Sequence, residues 1–359
     1  MPVDGTSRTA FLMAGGGTGG HVIPALAVAR ELRQRGHQVY FVGTARGLEA
    51  TLVPAAGFEL RKIEIGGLNR VDALQKVATL VRLPLVTLQC MQFHPAAVFS
   101  MGGYVAGPPV LAALVRRLPV VVMEPNAVPG FTNRAIARLA MRALVSFPET
   151  ARFFRPGRAE LTGLPVREEF FAIRPKPRGE QLHVLITGGS QGSRTLNRAS
   201  RESWPLFRAA GVAVRIVHQC GSAGVEELRR DFAASGLDGE VTPFIADMPA
   251  AFQDADLVVC RSGAGAVSEL AAAGKPSILV PFPFAADDHQ TRNAQAIERG
   301  GAACVVRDAE MSGERLYSLV RELAGAAGTL ERMGAAARQF SRPGAARRAA
   351  EVLEEAARC

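Results

Sequence analysis

Lysine is nearly missing from this chain. It occurs only at Lys62, Lys76, Lys176 and Lys275, so the formal charge of +9, from 42 Lys and Arg against 33 Asp and Glu, is carried by arginine. A surplus of that sign suits an anionic partner: nucleic acid, an acidic membrane face or phosphorylated ligands. Aromatic residues are also scarce, at 6% of the chain, and no extended stretch interleaves them with basic ones. Single-stranded nucleic acid needs stacking platforms of that kind, so no nucleic-acid partner is expected. The five cysteines include no Cys-x-x-Cys pair. Cys90, Cys220, Cys260 and Cys304 sit in or beside apolar runs, as buried free thiols do, which argues against zinc and for a reducing compartment. No apolar stretch reaches membrane-spanning length, because Arg82 and Pro84 interrupt the longest candidate, and the first eight residues lack a signal-peptide core. These absences predict a protein of the cytosol, or one resting on the cytosolic face of a membrane.

What is present is glycine at strand ends. Phe11–Ala14 reads as a short strand, Gly15-Gly-Gly-Thr-Gly-Gly-His21 as a loop, the residues to about Arg35 as a helix, and Gln38–Gly43 as the next strand. Gly15, Gly17 and Gly20 fit the dinucleotide fingerprint, but no acidic residue ends the second strand, where Thr44-Ala45-Arg46-Gly47 follows. NAD is thereby disfavoured and NADP, through Arg46, left open. The Walker lysine is missing, which excludes a P-loop. A second strand-to-glycine turn runs through Met101-Gly-Gly-Tyr104-Val-Ala-Gly107. Leu118–Met123 is a buried strand with Glu124 and Asn126 at its carboxyl end, where ligands gather in open α/β sheets. After a Pro- and Gly-rich linker through Arg174-Pro-Lys-Pro-Arg-Gly179 the pattern restarts. Leu182–Thr187 is a strand, Gly188–Gly192 a glycine loop, and Leu196 opens a helix. Val212–Val217 and Glu240–Ile245 continue the alternation. At 359 residues, two domains of ordinary size are expected.

The richest stretch runs from Cys260 to Asn293. Leu257–Cys260 is a buried strand, the small residues Ser262–Gly265 let a ligand approach the backbone, and Gly274 before Pro276 stops the following helix. That helix aims its N-terminal N–H groups at an anion. Glu269, in its opening turns, can accept two hydrogen bonds from a vicinal diol such as a ribose, or be a solvated acid complementing the dipole. Asp287-Asp-His-Gln290 adds polar groups to the same rim and favours the first reading. His21 has two readings as well. A helix N-terminus disfavours the imidazolium, which suits a neutral general base; a loop histidine capping backbone groups fits equally. Glu124 can be a buried structural acid and Asn126 a turn former. Between Arg61 and Gln92, Leu74, Val77, Ala78 and Val81 share a helical face, with Leu80, Leu83 and Leu85 on a second, among Arg70, Lys76 and Arg82. Such a surface is half-buried core or a patch for an anionic bilayer.

Gly16–His21, Met101–Gly107, Gly188–Gly192, Arg261–Ala264 with Ser268-Glu269, and Asp287–Gln290 with Asn293 occur in one order over nearly the whole chain. Together they resemble the GT-B glycosyltransferases, and among these the bacterial enzymes of peptidoglycan synthesis that move N-acetylglucosamine (GlcNAc) from UDP-GlcNAc to lipid I, undecaprenyl-diphospho-MurNAc-pentapeptide, giving lipid II. The resemblance implies an α/β fold of two Rossmann-like, doubly wound parallel-sheet domains facing across a cleft. Residues 1–166 would form the acceptor and membrane-associating domain, 167–342 the UDP-GlcNAc domain, and 343–359 a helix packing back on the first. It implies Thr18, Gly19 and Gly20 near the donor sugar and phosphates, Asn126 on the GlcNAc, and Arg167 and Ser190 on the diphosphate. Ile245 would lie against uracil with backbone groups reading the base edge. Ala264, Gly265, Ala266, Val267, Ser268 and Glu269 would hold phosphate and ribose, and Gln290 the sugar hydroxyls.

His21 and Glu124 are the catalytic candidates, and which of them is the base stays open. Met123 and Pro125 replace the His and Gln that flank this acid in the family. The reaction expected is a single inverting displacement, with the leaving diphosphate met by helix dipoles and arginines. No cofactor and no bound metal are therefore expected, and no clear Asp-x-Asp motif stands out. The membrane-bound lipid I, the anionic cytoplasmic membrane surface and other cell-wall enzymes are the partners implied, with a peripheral location on that membrane. The rivals are a diacylglycerol glycosyltransferase, a UDP-GlcNAc 2-epimerase, an NADP oxidoreductase and a non-catalytic sugar-nucleotide sensor.

Overall fold

A computed structural model describes residues 9–65, 73–175, 177 and 179–359, and of residues 73–81 the backbone alone. The chain divides into two compact units, Met1–Val166 with Gly344–Cys359, and Arg167–Pro343.

The first unit is built on a seven-stranded sheet. Its strands are β1 (Ala10–Gly15), β2 (Gln38–Gly43), β3 (Glu59–Lys62), β4 (Ala97–Gly102), β5 (Val120–Glu124), β6 (Arg142–Val145) and β7 (Ala159–Leu161). All pair in parallel, in the order β3-β2-β1-β4-β5-β6-β7. β4 and β5 are buried along their whole length, because helices cover both faces of a parallel sheet and an uninterrupted apolar run is then the stable sequence. The strand order reverses between β1 and β4, so the loops leaving these neighbours diverge and open a crevice at their carboxyl ends. Gly15 lies where β1 meets β4, and a Cβ there would stand 2.7 Å from that of Met101. The closing helix, Ala345–Ala357, belongs to this unit. It buries Ala349, Ala350, Val352 and Leu353, and Arg348 grips Glu160 of β7 with two nitrogens at 2.6 and 3.1 Å.

The second unit repeats the plan with six strands. They are β8 (Leu182–Thr187), β9 (Val214–Gln219), β10 (Asp238–Thr242), β11 (Leu257–Cys260), β12 (Ser277–Leu279) and β13 (Ala303–Val305). These are again all parallel, in the order β10-β9-β8-β11-β12-β13, and the switch point falls between β8 and β11. Its core gathers Trp204, Phe207, Leu257, Val259 and Leu316. The strand expected over Glu240–Ile245 lies earlier, at Asp238–Thr242, so Ile245 sits in the loop beyond it. The helix after β11 runs Ala264–Ala273 and stops at Gly274, whose φ of 62° is the left-handed conformation a residue without Cβ adopts at least cost.

Candidate active site

Each switch point carries a set of groups the sequence singled out. In the first unit the loop after β1 turns through Gly17, with φ of 87°, and enters the helix Gly19–Gln34, with Thr18 as its N-cap residue. His21 lies in the first turn. Its Nδ1 is 3.3 Å from the Gly16 carbonyl and 3.4 Å from Thr18 Oγ1. A carbonyl can only accept, so in the tautomer that bonds Gly16 the hydrogen is on Nδ1 and the neutral ring holds its lone pair on Nε2. The loop after β4 comes against the same ring. A Cβ on Gly103 would stand 3.4 Å from His21 Cε1, and the Gly103 carbonyl accepts from Thr132 Oγ1 at 2.8 Å.

Glu124, at the tip of β5, is 1% exposed, yet each of its oxygens takes two donors. Asn126 N and Nδ2 reach Oε1 at 3.0 and 3.1 Å, and Asn133 Nδ2 and Gly130 N reach Oε2 at 2.9 and 3.2 Å. Burial pushes this carboxyl up to about 7, against those four donors. The arrangement ties Asn126 to a fixed place. It also couples the loops after β5 and β4, because Asn133 Oδ1 accepts from Ser100 Oγ, which in turn accepts from Gly102 N.

The largest departure from expectation is Glu49. An acidic residue does follow β2, six positions past its end, and its carboxylate turns inward beneath the glycine loop. Oε2 accepts from Gly17 N at 2.7 Å, and Oε1 from both N and Oγ1 of Thr44 at 2.9 Å. Gly16, Gly43 and Gly47 surround it; a Cβ on any of them would run into this side chain. Burial acts to raise its pKa, but the hydrogen bonds from Thr44 and Gly17 outweigh it and hold the carboxyl below the usual range. Nothing in the local sequence marks Glu49, since its partners come from two loops that only the fold brings together.

In the second unit Ser193 caps the helix Arg194–Ala209 through Leu196 N, while Gly188 and Gly192 press against Ser193 and the end of β9 too closely for any Cβ. Ser190 is exposed on this loop. Beside it, no side chain caps the helix Ala264–Ala273, so the N–H groups of Ala264, Gly265 and Ala266 face outward for an anion. At the other end of that helix Arg338 donates to Ala272 O and Ala273 O. Glu269 accepts no hydrogen bond among the described residues; burial pushes it up to about 7, and the Arg167 guanidinium acts in the opposite direction. Arg167 is itself exposed and lies over the Phe170 ring. Gln290 takes Phe282 N on its Oε1 at 3.0 Å, which leaves its amide N–H groups to serve as the donors toward a ligand. Asp287 and Asp288 hold φ of 51° and 53°, an uncommon pair of left-handed residues that turns the chain into the helix carrying Gln290.

Ile245 gives its N–H to Gln219 Oε1 at 2.9 Å, so the expected reading of a base edge by its backbone narrows to the carbonyl. Gln219 continues to Thr187 Oγ1, which also receives Gly189 N, and so joins the Ile245 loop to the glycine loop after β8. An Asp-x-Asp spacing does exist, at Asp254-Ala-Asp256. It precedes β11, at the end of the sheet away from the loops, and His183 engages both carboxylates. Arg70 lies outside the described residues, as do the side chains of Leu74, Lys76, Val77, Ala78, Leu80 and Val81 from the expected membrane face. Of the rest, Arg82 and Leu85 are exposed and Leu83 is half-buried.

Residues 11–145 match the glycosyltransferase family 28 N-terminal domain and residues 183–349 the glycosyltransferase family 28 C-terminal domain. A relative from Solibacter usitatus (strain Ellin6076), a UDP-N-acetylglucosamine–N-acetylmuramyl-(pentapeptide) pyrophosphoryl-undecaprenol N-acetylglucosamine transferase, is 71% identical over 98% of this chain and 98% of its own. One of the same name from Anaeromyxobacter dehalogenans (strain 2CP-C) is 41% identical, over 97% of this chain and 93% of its own. The crystal structure of Acinetobacter baumannii MurG superposes with a TM-score of 0.81 at 35% identity, covering 97% of this chain and all of that one.

Proposed function

The chain belongs to glycosyltransferase family 28, and from that premise we propose how its residues carry N-acetylglucosamine from UDP-GlcNAc to a lipid-linked N-acetylmuramyl-pentapeptide, the transfer for which its relatives are named. It is an N-acetylglucosaminyltransferase with the two parallel-sheet domains of the GT-B fold. The acceptor in our reading is the 4-hydroxyl of MurNAc in lipid I. Its oxygen attacks the anomeric carbon of UDP-α-GlcNAc, His21 Nε2 takes the hydroxyl proton, and the bond from that carbon to the diphosphate breaks with its electron pair leaving on UDP. The configuration inverts to β. The single observation behind the choice of base is His21 Nδ1 on the Gly16 carbonyl, which leaves the lone pair on Nε2.

Charge that develops on the departing diphosphate is met by the uncapped N-terminus at Ala264–Ala266, by Ser190 and by Arg167. Glu269 accepts the ribose hydroxyls, Val267 and Ser268 shape the turn above it, Ile245 lies against uracil, and Gln290 donates to the sugar. Thr18, Gly19, Gly20 and Asn126 contact the sugar and phosphates. Glu124 holds Asn126 in place through Oε1, while its Oε2 is taken by Asn133 and Gly130. Because the acceptor is bilayer-bound, we propose that the protein works peripherally on an anionic membrane surface.

The deciding experiment is transfer of labelled GlcNAc from UDP-GlcNAc to a lipid I analogue. Wild-type protein is expected to form the lipid II analogue, and absence of product would overturn the reading. His21→Ala is expected to lower kcat by about 10²- to 10⁴-fold while UDP binding is retained. Unchanged turnover would remove His21 as the base.

A further inference from the structure

We propose that Glu49 is a positioning residue for this transfer: its carboxylate orients His21 through one intervening peptide group, that between Gly16 and Gly17. This deepens, and rests on, the reading of His21 as the base.

The geometry is a single chain of three groups. Glu49 Oε2 accepts the Gly17 N–H at 2.7 Å, and His21 Nδ1 lies 3.3 Å from the Gly16 carbonyl, which accepts its hydrogen in the Nδ1–H tautomer. That N–H and that carbonyl are opposite ends of the same planar amide, so a pull on one end polarises the other. A carboxylate on the N–H makes the carbonyl a stronger acceptor, and the Nδ1–H bond strengthens with it. Two consequences follow for the ring. The tautomer with its lone pair on Nε2 is favoured, and the imidazolium formed when Nε2 takes a proton is stabilised. Histidines in other catalytic and metal sites obtain both effects from a carboxylate in direct contact. In this chain the same function is served one peptide further away.

The surroundings fit an anion fixed in one direction. Thr44 N and Oγ1 both bind Oε1, which leaves Oε2 aimed at Gly17. Glu49 is 0% exposed yet remains in its charged form, because those bonds overcome the cost of burial. Gly16 and Gly47 have no Cβ where one would strike this carboxylate, nor Gly43 where one would strike its methylene stem. Gly17 also holds a φ of 87° that other residues rarely adopt, so the peptide gripped by Glu49 ends on a residue whose conformation favours glycine.

The test is a double-mutant cycle on the full chain, Glu49→Gln, His21→Ala and both together, read by kcat, by KM for UDP-GlcNAc, and by thermal unfolding. Glu49→Gln is expected to lower kcat about 10- to 100-fold with KM nearly unchanged. It should also move the acid limb of the kcat profile to lower pH, because the imidazolium loses a stabilising anion. In the His21→Ala background the second substitution is expected to cost almost nothing further. An equal loss in both backgrounds would make Glu49 a loop support only and overturn this proposal, with His21 still the base. No loss in His21→Ala alone would instead overturn the base assignment. If Glu49→Gln does not fold, ¹⁵N NMR of His21 in the wild-type protein decides: hydrogen on Nδ1 is expected, and hydrogen on Nε2 would overturn the relay.

Discussion

Glu124 and Glu269 are both lifted to about 7 by burial, yet their surroundings differ in kind. Four N–H donors surround Glu124, whereas Glu269 accepts no hydrogen bond among the described residues and is opposed only by Arg167. A carboxylate shaped in this way has unused acceptor capacity for a diol, and the hydroxyls of a ribose would favour its ionised form. Binding of UDP-GlcNAc should therefore release a proton below about pH 7. Affinity by calorimetry is expected to be fullest above pH 7 and to fall by up to about tenfold per unit below it. Glu269→Gln should bind more weakly and lose this slope; a flat profile in the wild-type protein would remove Glu269 from the ribose site. His21 and Glu269 stand out in the sequence as candidates because the helix carrying each opens just past an apolar strand, where α/β sheets gather ligands. Glu49 does not, since its partners at Gly17 and Thr44 are far apart in sequence or hidden in a turn.

Among the elements, the helix Ala345–Ala357 shows how a short terminal segment can hold a sheet edge. Its apolar face buries Val352 and Leu353 completely, each contributing roughly 1.5–3 kcal/mol. On its other side Arg348 clamps Glu160 of β7, and Glu354 accepts from Arg35 and lies 2.9 Å from His37 Nε2. The Arg348 hydrogen bonds hold the Glu160 carboxyl below the usual carboxylate range, ahead of the opposing effect of burial. Its contribution is thus present above the ordinary carboxylate pKa and is lost as pH falls below it. Removal of residues 344–359 is expected to lower the calorimetric transition of the first unit by several degrees and to leave that of Arg167–Pro343 in place. An equal fall in both transitions would contradict the division of the chain into those units. The helix itself was readable from its Ala, Arg and Glu content; its membership of the first unit required the pairing of Arg348 with a residue 188 positions away.

For the whole molecule, the net charge of +9 and the lipid-linked acceptor bear on one property. Leu85 and Leu88 of the helix Ala73–Cys90 are exposed, as are Leu111 and Val115 of the neighbouring helix Gly107–Val115, and Arg82 lies on the same stretch. Apolar side chains beside cations are what an anionic bilayer surface binds. No helix among the described residues is long and apolar enough to cross a membrane. Co-sedimentation with anionic vesicles is expected to weaken as salt rises, and Leu85→Gln with Leu88→Gln to reduce it at constant salt. Binding that ignores both changes would assign those leucines another role.

By itself the sequence determined the architecture and the strand tips at which ligands are expected. Alternation of apolar runs, glycine turns and helical stretches leaves a parallel sheet few alternatives, and small residues at strand tips mark where a backbone must be approached closely. Only the tertiary structure decided what the polar groups at those tips do. It committed Glu124 to Asn126 and Asn133, turned Glu49 beneath Gly17, and drew the Ile245 N–H to Gln219. The physical reason is range: strand and turn preferences act between neighbours in the chain, whereas a buried hydrogen bond joins whichever donor and acceptor the packed sheet brings within about 3 Å.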